Sequence, residues 1–344
     1  MPRLHALPSL PRTSFRLLPD KWGRSVLLTV LFSILILSGT ACASNHENQS
    51  AAAPVANAQT WSQTASGSDL DHWMQTNQRP RPNSWSQLNR SLLHLQSASA
   101  LIVDEDGNRL YSKNTQQIKP IASVTKLMTA MVVLDAGVPM NTPIKIIEDD
   151  RDRLRNSRSR LRINEATLSR GEMITVAVMS SDNRAAHALG RTTFRGGTPA
   201  FINAMNRKAK SLGMYDTYFE DSSGLNGNNR SSAEDLVKMV KAAATYPFLR
   251  EITARGQITV YPFANGTALQ YRNTNPLVRD PDWQIDVSKT GFINEAGHCL
   301  VMQTRIGDRR VYMVFLDSAG RQSPVGDSNR VRNWILTGHQ TAAR

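Results

Sequence analysis

The chain has 344 residues, is 40% hydrophobic and carries a formal charge of +13 with only two cysteines. That size and apolar content suffice to bury a substantial core, so the chain suits one large domain or two interleaved lobes, and no internal repeat divides it. The charge favours anionic partners by long-range attraction and has no bearing on the fold.

Arg3, Arg12, Arg16, Lys21 and Arg24 precede an apolar run at residues 26–38, and Ala41-Cys42-Ala43 follows it. A basic start, a short apolar stretch and a small-x-small site make the pattern of a secretory signal peptide, and the run is too short for a comfortable membrane span. Residues 1–43 are therefore expected to be a leader and the periplasm the destination. Cys42 offers a lipoprotein alternative, but position 39 is Gly where an acylated cysteine usually has an aliphatic residue three positions earlier. Cleavage after Ala43 would leave Cys299 as the only cysteine and allow no intramolecular disulfide. It would also remove five basic residues and Asp20, leaving a charge of about +9. For an exported protein the natural anionic partner is the cell wall or the membrane surface, and nucleic acid is set aside because export takes the chain away from it.

Residues 44–96 are rich in Ser, Ala, Asn and Gln with no sustained apolar period, and they read as a flexible tether in which Trp61, Trp73 and Trp85 recur. Patterning begins near Ala98. Ala100 to Val103 reads as a buried strand, and Asp106-Gly107 turns it toward Arg109-Leu110-Tyr111. Pro120 suits a helix start and Gly137 a helix stop, and Val124, Leu127, Met128, Met131 and Leu134 repeat at helical spacing between them. Ser169 with Glu172 forms a capping box for a second helix that runs to Ser181. Thr198-Pro199 opens a third helix closed by Gly213, and Ser231 with Glu234 opens another that stops at Pro247. After Gly256 the texture turns to short β-type runs at 257–261, 268–271, 285–287, 299–304 and 310–316, with Gly307-Asp308 turning the last pair. Val331, Trp334 and Ile335 make one face of a short final helix stopped by Gly338. A strand pair, a helical middle and a closing meander imply an α+β domain over residues 97–340, an antiparallel sheet flanked by helices plus a helical lobe.

Three motifs fall in one order: Ser123-Val124-Thr125-Lys126, Ser181-Asp182-Asn183 and Lys289-Thr290-Gly291. The first and third occur once each, and the only other S-x-N, at Ser112, precedes them. Singly each is weak, since lysines are mostly solvated, S-D-N makes a good turn and K-T-G a plain strand end. Together they carry acyl transfer through a serine. A neutral serine needs a neighbouring base, and three residues along a helix put Lys126 a turn away from Ser123 on the same face. The helix N-terminus adds positive potential and backbone donors for a developing oxyanion. An ordinary lysine is protonated at neutral pH, so burial and a second cation, Lys289, are expected to lower its pKa. Ser181 is free to pass a proton to a leaving amine, and Asn183 offers a donor and an acceptor to a substrate amide. Lys289 and Thr290 suit a terminal carboxylate, and Gly291 leaves the strand edge clear for an extended peptide.

These motifs are shared by penicillin-binding proteins and class A β-lactamases. The stretches SVTKLMTAMVVLDAG (123–137), VMSSDNRAAHALG (178–190), KAKSLGMYDTYFEDSSGLNGNNRSSAEDL (208–236) and SKTGFINEAGHCLVM (288–302) resemble the low-molecular-mass penicillin-binding proteins, most closely the D-alanyl-D-alanine endopeptidases of penicillin-binding protein 7 type. The resemblance covers roughly residues 98–338. It implies the serine β-lactamase/DD-transpeptidase-like fold, Ser123 as acyl-ester nucleophile, Lys126 as base, Ser181 as proton relay and Lys289 as substrate ligand. It also implies the amides of Ser123 and Phe292 as oxyanion donors, peptidoglycan stem peptides as substrate and β-lactam antibiotics as covalent inhibitors. No C-terminal β-domain or amphipathic anchor of the carboxypeptidase relatives is recognised, so at most loose membrane association is expected. Where a β-lactamase needs a glutamate to drive deacylation the chain has Asp221-Ser222-Ser223-Gly224-Leu225, and slow release of penicillin is expected.

Arg151, Arg153, Arg155, Arg158, Arg160 and Arg162 form a basic run, either a solvated loop or a contact to anionic wall polymer beside the cleft. His187 and His298 have no partners at metal-ligand spacing, and neither H-E-x-x-H nor a nucleotide-binding glycine loop is present, so no metal and no cofactor is expected. The expected activity is a serine D,D-endopeptidase. The alternatives are a D,D-carboxypeptidase removing terminal D-alanine and a non-catalytic peptidoglycan-binding scaffold.

Overall fold

The computed structural model describes residues 84–342. The expected leader, Cys42, Trp61, Trp73 and the tether up to residue 83 lie outside the described residues. Among the described residues no helix is long and apolar enough to cross a membrane.

Five strands form the central sheet: β1 (Ser99–Asp104), β2 (Arg109–Lys113), β9 (Gln284–Ile293), β10 (Gly297–Ile306) and β11 (Arg309–Ser318). Their order is β2-β1-β11-β10-β9, with every pairing antiparallel, so the N-terminal hairpin completes a C-terminal meander and β9 is left as an edge strand. Side chains alternate across such a sheet. Leu101, Val103, Val301, Val314 and Leu316 face one apolar cluster, and Ala100, Ile102, Met302, Met313 and Phe315 face another.

The first cluster belongs to the helical lobe. Its centre is α1 (Thr125–Asp135), where every residue from Thr125 to Val133 is buried, as expected of a helix that is apolar all round. Around it lie α2 (Arg170–Met179), α3 (Asn183–Thr192), α4 (Gly197–Ser211), α5 (Ala233–Ala243) and α6 (Pro247–Ala254). The Ser169–Glu172 capping box forms in both directions at the start of α2. The cap of α5 is Ser232 with Asp235, one residue beyond the expected pair. Pro247 sits in the first turn of α6 and so opens a helix as well as ending one, because a residue without an N–H is tolerated there.

Two-residue β3 (Lys119–Pro120) pairs with β6 (Arg230–Ser231), β4 (Pro143–Lys145) with β5 (Thr167–Ser169), and β7 (Gln257–Val260) with β8 (Leu269–Arg272).

The second cluster lies between the other sheet face and α7 (Ser323–Ala342), a 20-residue helix rather than the short one expected. Gly338 lies inside it. A Cβ there would come within 2.4 Å of Leu88 Cδ2, so this glycine serves close packing instead of ending the helix. Trp85, Leu88, Leu93 and Leu95 join the cluster. These four side chains fall within the stretch expected to be tether, and their spacings of three, five and two residues follow 3₁₀ turns rather than a helical or strand period.

Candidate active site

Ser123 lies in a 3₁₀ turn, Ala122–Val124, that runs directly into α1. Ala122 before it has φ +46°, a left-handed conformation that costs a non-glycine residue free energy and persists only where its surroundings hold it. The surroundings here include Gly224, with φ +82°, whose added Cβ would fall 1.9 Å from Ala122 O. Ser181 is also left-handed, with φ +61°, on the turn between α2 and α3. Two of the three motifs thus sit on strained backbone.

Lys126 is fully buried and spends its three N–H donors on Ser123 Oγ at 2.8 Å, Asn183 Oδ1 at 2.7 Å and Ser223 O at 2.6 Å. Burial lowers its pKa to about 8, partly offset by the negative charges of Asp221, Asp182 and Asp152. Lys289, also buried, donates to Ser181 Oγ and, at 2.7 Å, to Thr290 O. Its pKa falls well below the ordinary lysine value through burial and then through repulsion from Lys126. Burial thus lowers both lysines, the two ammonium groups repel each other within one site, and carboxylates favour the charged form of Lys126.

Both ends of the Asn183 amide are engaged by protein groups, Oδ1 by Lys126 and Nδ2 by Ser157 Oγ at 2.8 Å. One Nδ2 hydrogen and one lone pair of Oδ1 remain for a ligand. Lys289, Thr290 and Gly291 lie inside the ten-residue β9 and not after a three-residue strand. A Cβ on Gly291 would meet Ile121 O at 2.8 Å and Ser123 N at 3.1 Å, so the glycine lets the strand close on the serine. Thr253 Oγ1 donates to Asp286 O, which places Asp286 O on the outer edge of β9. Thr290 Oγ1 bonds Thr274 Oγ1 at 2.6 Å. Phe292 is 52% exposed and stacks on His298 with ring centroids 4.2 Å apart. Ser123, Ser181, Asn183, Thr290, Gly291 and Phe292 line one cleft of about 850 Å³.

The motifs did not disclose the groups that hold them. Asp152 accepts from the amides of Leu154, Arg155 and Ser157 and folds the arginine loop so that Ser157 meets Asn183 and Ser159 meets the buried Asp182. Asp221 accepts from the amides of Ser223, Gly224 and Asn226, shaping the loop whose Ser223 carbonyl meets Lys126. Asp221 opens a run of Ser, Gly and Asn, the local signal of an Asx-type turn, whereas Asp152 is followed by Arg and Leu before Asn156 and Ser157.

Residues 86–320 match the model of the D-alanyl-D-alanine carboxypeptidase family, peptidase S11. The chain is 44% identical over 246 residues to a D-alanyl-D-alanine endopeptidase of Escherichia coli, covering 71% of this chain and 78% of that one. It is 43% identical over 249 residues to a protein of the same name from Pseudomonas aeruginosa, covering 72% and 80%. A D-alanyl-D-alanine carboxypeptidase of Bacillus subtilis is 30% identical over 261 residues, covering 73% and 64%. Among solved structures, the Streptomyces K15 DD-transpeptidase superposes with a TM-score of 0.66 at 24% identity, covering 71% of this chain and 98% of that one. Penicillin-binding protein D2 of Listeria monocytogenes in its ampicillin-bound form gives 0.59 at 28% identity, covering 70% and 98%.

Proposed function

The chain belongs to the D-alanyl-D-alanine carboxypeptidase family of serine peptidases, and from that premise we propose that it is a D,D-endopeptidase hydrolysing D-alanyl cross-links between peptidoglycan stem peptides through an acyl-enzyme on Ser123. The observation that carries the chemistry is the 2.8 Å contact between Lys126 Nζ and Ser123 Oγ, made by a buried lysine of lowered basicity. The cross-link preference is supported by relatives at 41–44% identity, which are named endopeptidases, whereas a relative named carboxypeptidase stands at 30%.

In this mechanism neutral Lys126 takes the Ser123 proton as Oγ attacks the D-alanyl carbonyl, and the amides of Ser123 and Phe292 receive the oxyanion. Lys289 and Ser181 pass a proton to the departing amine. A substrate carboxylate arriving at Lys289 and Thr290 supplies the negative charge that Lys289 otherwise lacks, restoring its ammonium form as the peptide binds. Water then hydrolyses the ester. β-Lactams acylate the same oxygen, in keeping with the ampicillin-bound and cefotaxime-bound Listeria protein. The setting is the periplasm, reached through the leader at residues 1–43.

Digesting cross-linked and monomeric muropeptides side by side tests the reading: dimers vanish if it is right, and only terminal D-alanine is released if the enzyme is a carboxypeptidase. Absence of labelled penicillin on Ser123 would remove the acyl-enzyme. Full cellular function of Ser123→Ala with unchanged wall composition would favour a scaffold.

A further inference from the structure

The arginine run at 151–162 is largely neutralised where it stands. Arg151 pairs with Glu148, Arg155 with Glu295 and Arg162 with Glu165, and Arg160 donates to Gln270 O. The uncompensated cations lie elsewhere. Arg272 at the end of β8, Arg279 at the end of the 3₁₀ turn Pro276–Arg279, and Arg321 just before α7 all line the cleft, and no Asp or Glu lines it. All three side chains are exposed, and among the described residues none of them forms an ion pair. Arg279 is nonetheless held in place, by a 2.9 Å bond from Nη1 to Asn273 O and by its stem lying against Gly256. Arg321 makes itself felt within the cleft, since its charge adds to burial in lowering the pKa of His298.

Guanidinium groups gathered in a concave wall without counter-ions reinforce one another's field and favour a ligand with several carboxylates. A peptide ending in D-alanine brings one carboxylate next to the bond to be cut. A cross-linked substrate brings, beyond that bond, a whole second stem peptide with further free carboxylates. The segment 272–279 also lies on the side from which that stem would leave. Its Thr274 bonds Thr290, in the KTG triplet to which the leaving group's carboxylate is assigned.

We propose that Arg272 and Arg279 form a subsite for the amine-side stem peptide, reading its carboxylates and so directing the enzyme to cross-linked rather than monomeric strands. This rests on the endopeptidase reading above.

The test compares two synthetic cross-linked dimers, one native and one in which the amine-side carboxylates other than that adjacent to the scissile bond are amides. Stoichiometric uptake of labelled penicillin at Ser123 certifies that each variant is folded. Wild-type enzyme is expected to cleave the native dimer about tenfold better in kcat/KM, an advantage eroded by salt. The double variant Arg272→Gln/Arg279→Gln is expected to lose about that factor on the native dimer and little on the amidated one, because the charges it would pair are already gone. If the double variant takes up no penicillin, the single variants Arg272→Gln and Arg279→Gln are read in the same way, each about threefold. Equal losses on the two dimers, or none on the native one, overturn the subsite while leaving the endopeptidase reading intact. Wild-type enzyme that cleaves neither dimer overturns both.

Discussion

Lys126 and Lys289 are two buried lysines whose charges oppose each other within one site: Lys126 bonds Ser123 and keeps a pKa of about 8, and its charge helps push Lys289 far below the ordinary value. Two ammonium groups in a shared low-dielectric cavity cannot both remain charged without cost. In the proposed mechanism Lys126 is the base and Lys289 the amine that passes a proton.

The first prediction is the pH dependence of acylation. Lys126 acts as base only when neutral, so activity is low below its pKa and rises as pH climbs through about 8. The second-order rate of penicillin acylation, followed from pH 6.5 to 9.5, should increase by roughly tenfold between pH 7 and the plateau. A flat or falling profile across that range would show that Lys126 is not the base.

Gly291→Ala is predicted to damage catalysis more than stability. The added methyl would meet Ile121 O at 2.8 Å and Ser123 N at 3.1 Å, so β9 must retreat from the serine and take the Phe292 amide with it. Loss of one well-placed oxyanion donor costs on the order of 10²–10³ in rate. Acylation by penicillin should fall by about that factor with the thermal midpoint little moved, and near wild-type acylation would exclude a role for the close approach of strand and serine.

The catalytic triplets and most helix and strand starts were legible because they depend on local grammar. A capping box at Ser169–Glu172, a turn at Asp106-Gly107 and an apolar period through Val124 to Leu134 each act within one turn or hairpin. The supports of the site were not legible. Ser157 reaches Asn183 across 26 positions, and the Ser223 carbonyl reaches Lys126 across 97, through contacts that exist only once the lobe is packed. The surroundings of the arginines were not legible for the same reason. Clustering in the chain marked 151–162, yet its counter-ions are supplied by Glu148, Glu165 and Glu295, while the scattered Arg272, Arg279 and Arg321 gather in the cleft.

Cys299 is predicted to be inert in the folded enzyme. It is 2% exposed, and burial pushes its thiol pKa up to about 12. The thiolate is the reactive form, so alkylation at neutral pH should be negligible until the domain unfolds. Mass analysis of the Cys299 peptide after iodoacetamide treatment across a urea series should show labelling that tracks unfolding. Rapid labelling without denaturant would mean that the cleft wall opens in the native state.

The segment before residue 97 is predicted to be part of the folded unit. Trp85 is 5% exposed, packs with Leu88, Leu93 and Leu95 against Val331, Trp334 and Ile335, and carries the guanidinium of Arg309 over its ring at 4.7 Å. Buried Asp327 on α7 fastens the same segment by accepting from the amides of Gln96 and Ser97 and from Ser97 Oγ. Cutting the chain at residue 97 strips that apolar cover from α7 and removes the Gln96 amide from the Asp327 carboxylate, leaving Ser97 and Arg330 as its partners. A protein beginning at residue 84 should therefore melt cooperatively near the full-length midpoint, whereas one beginning at residue 97 should melt many degrees lower or aggregate. Trp85→Ala in the longer form should cost about 3 kcal/mol, the usual loss for truncating a buried aromatic. Equal midpoints for the two truncations, measured by circular dichroism, would return residues 84–96 to the tether.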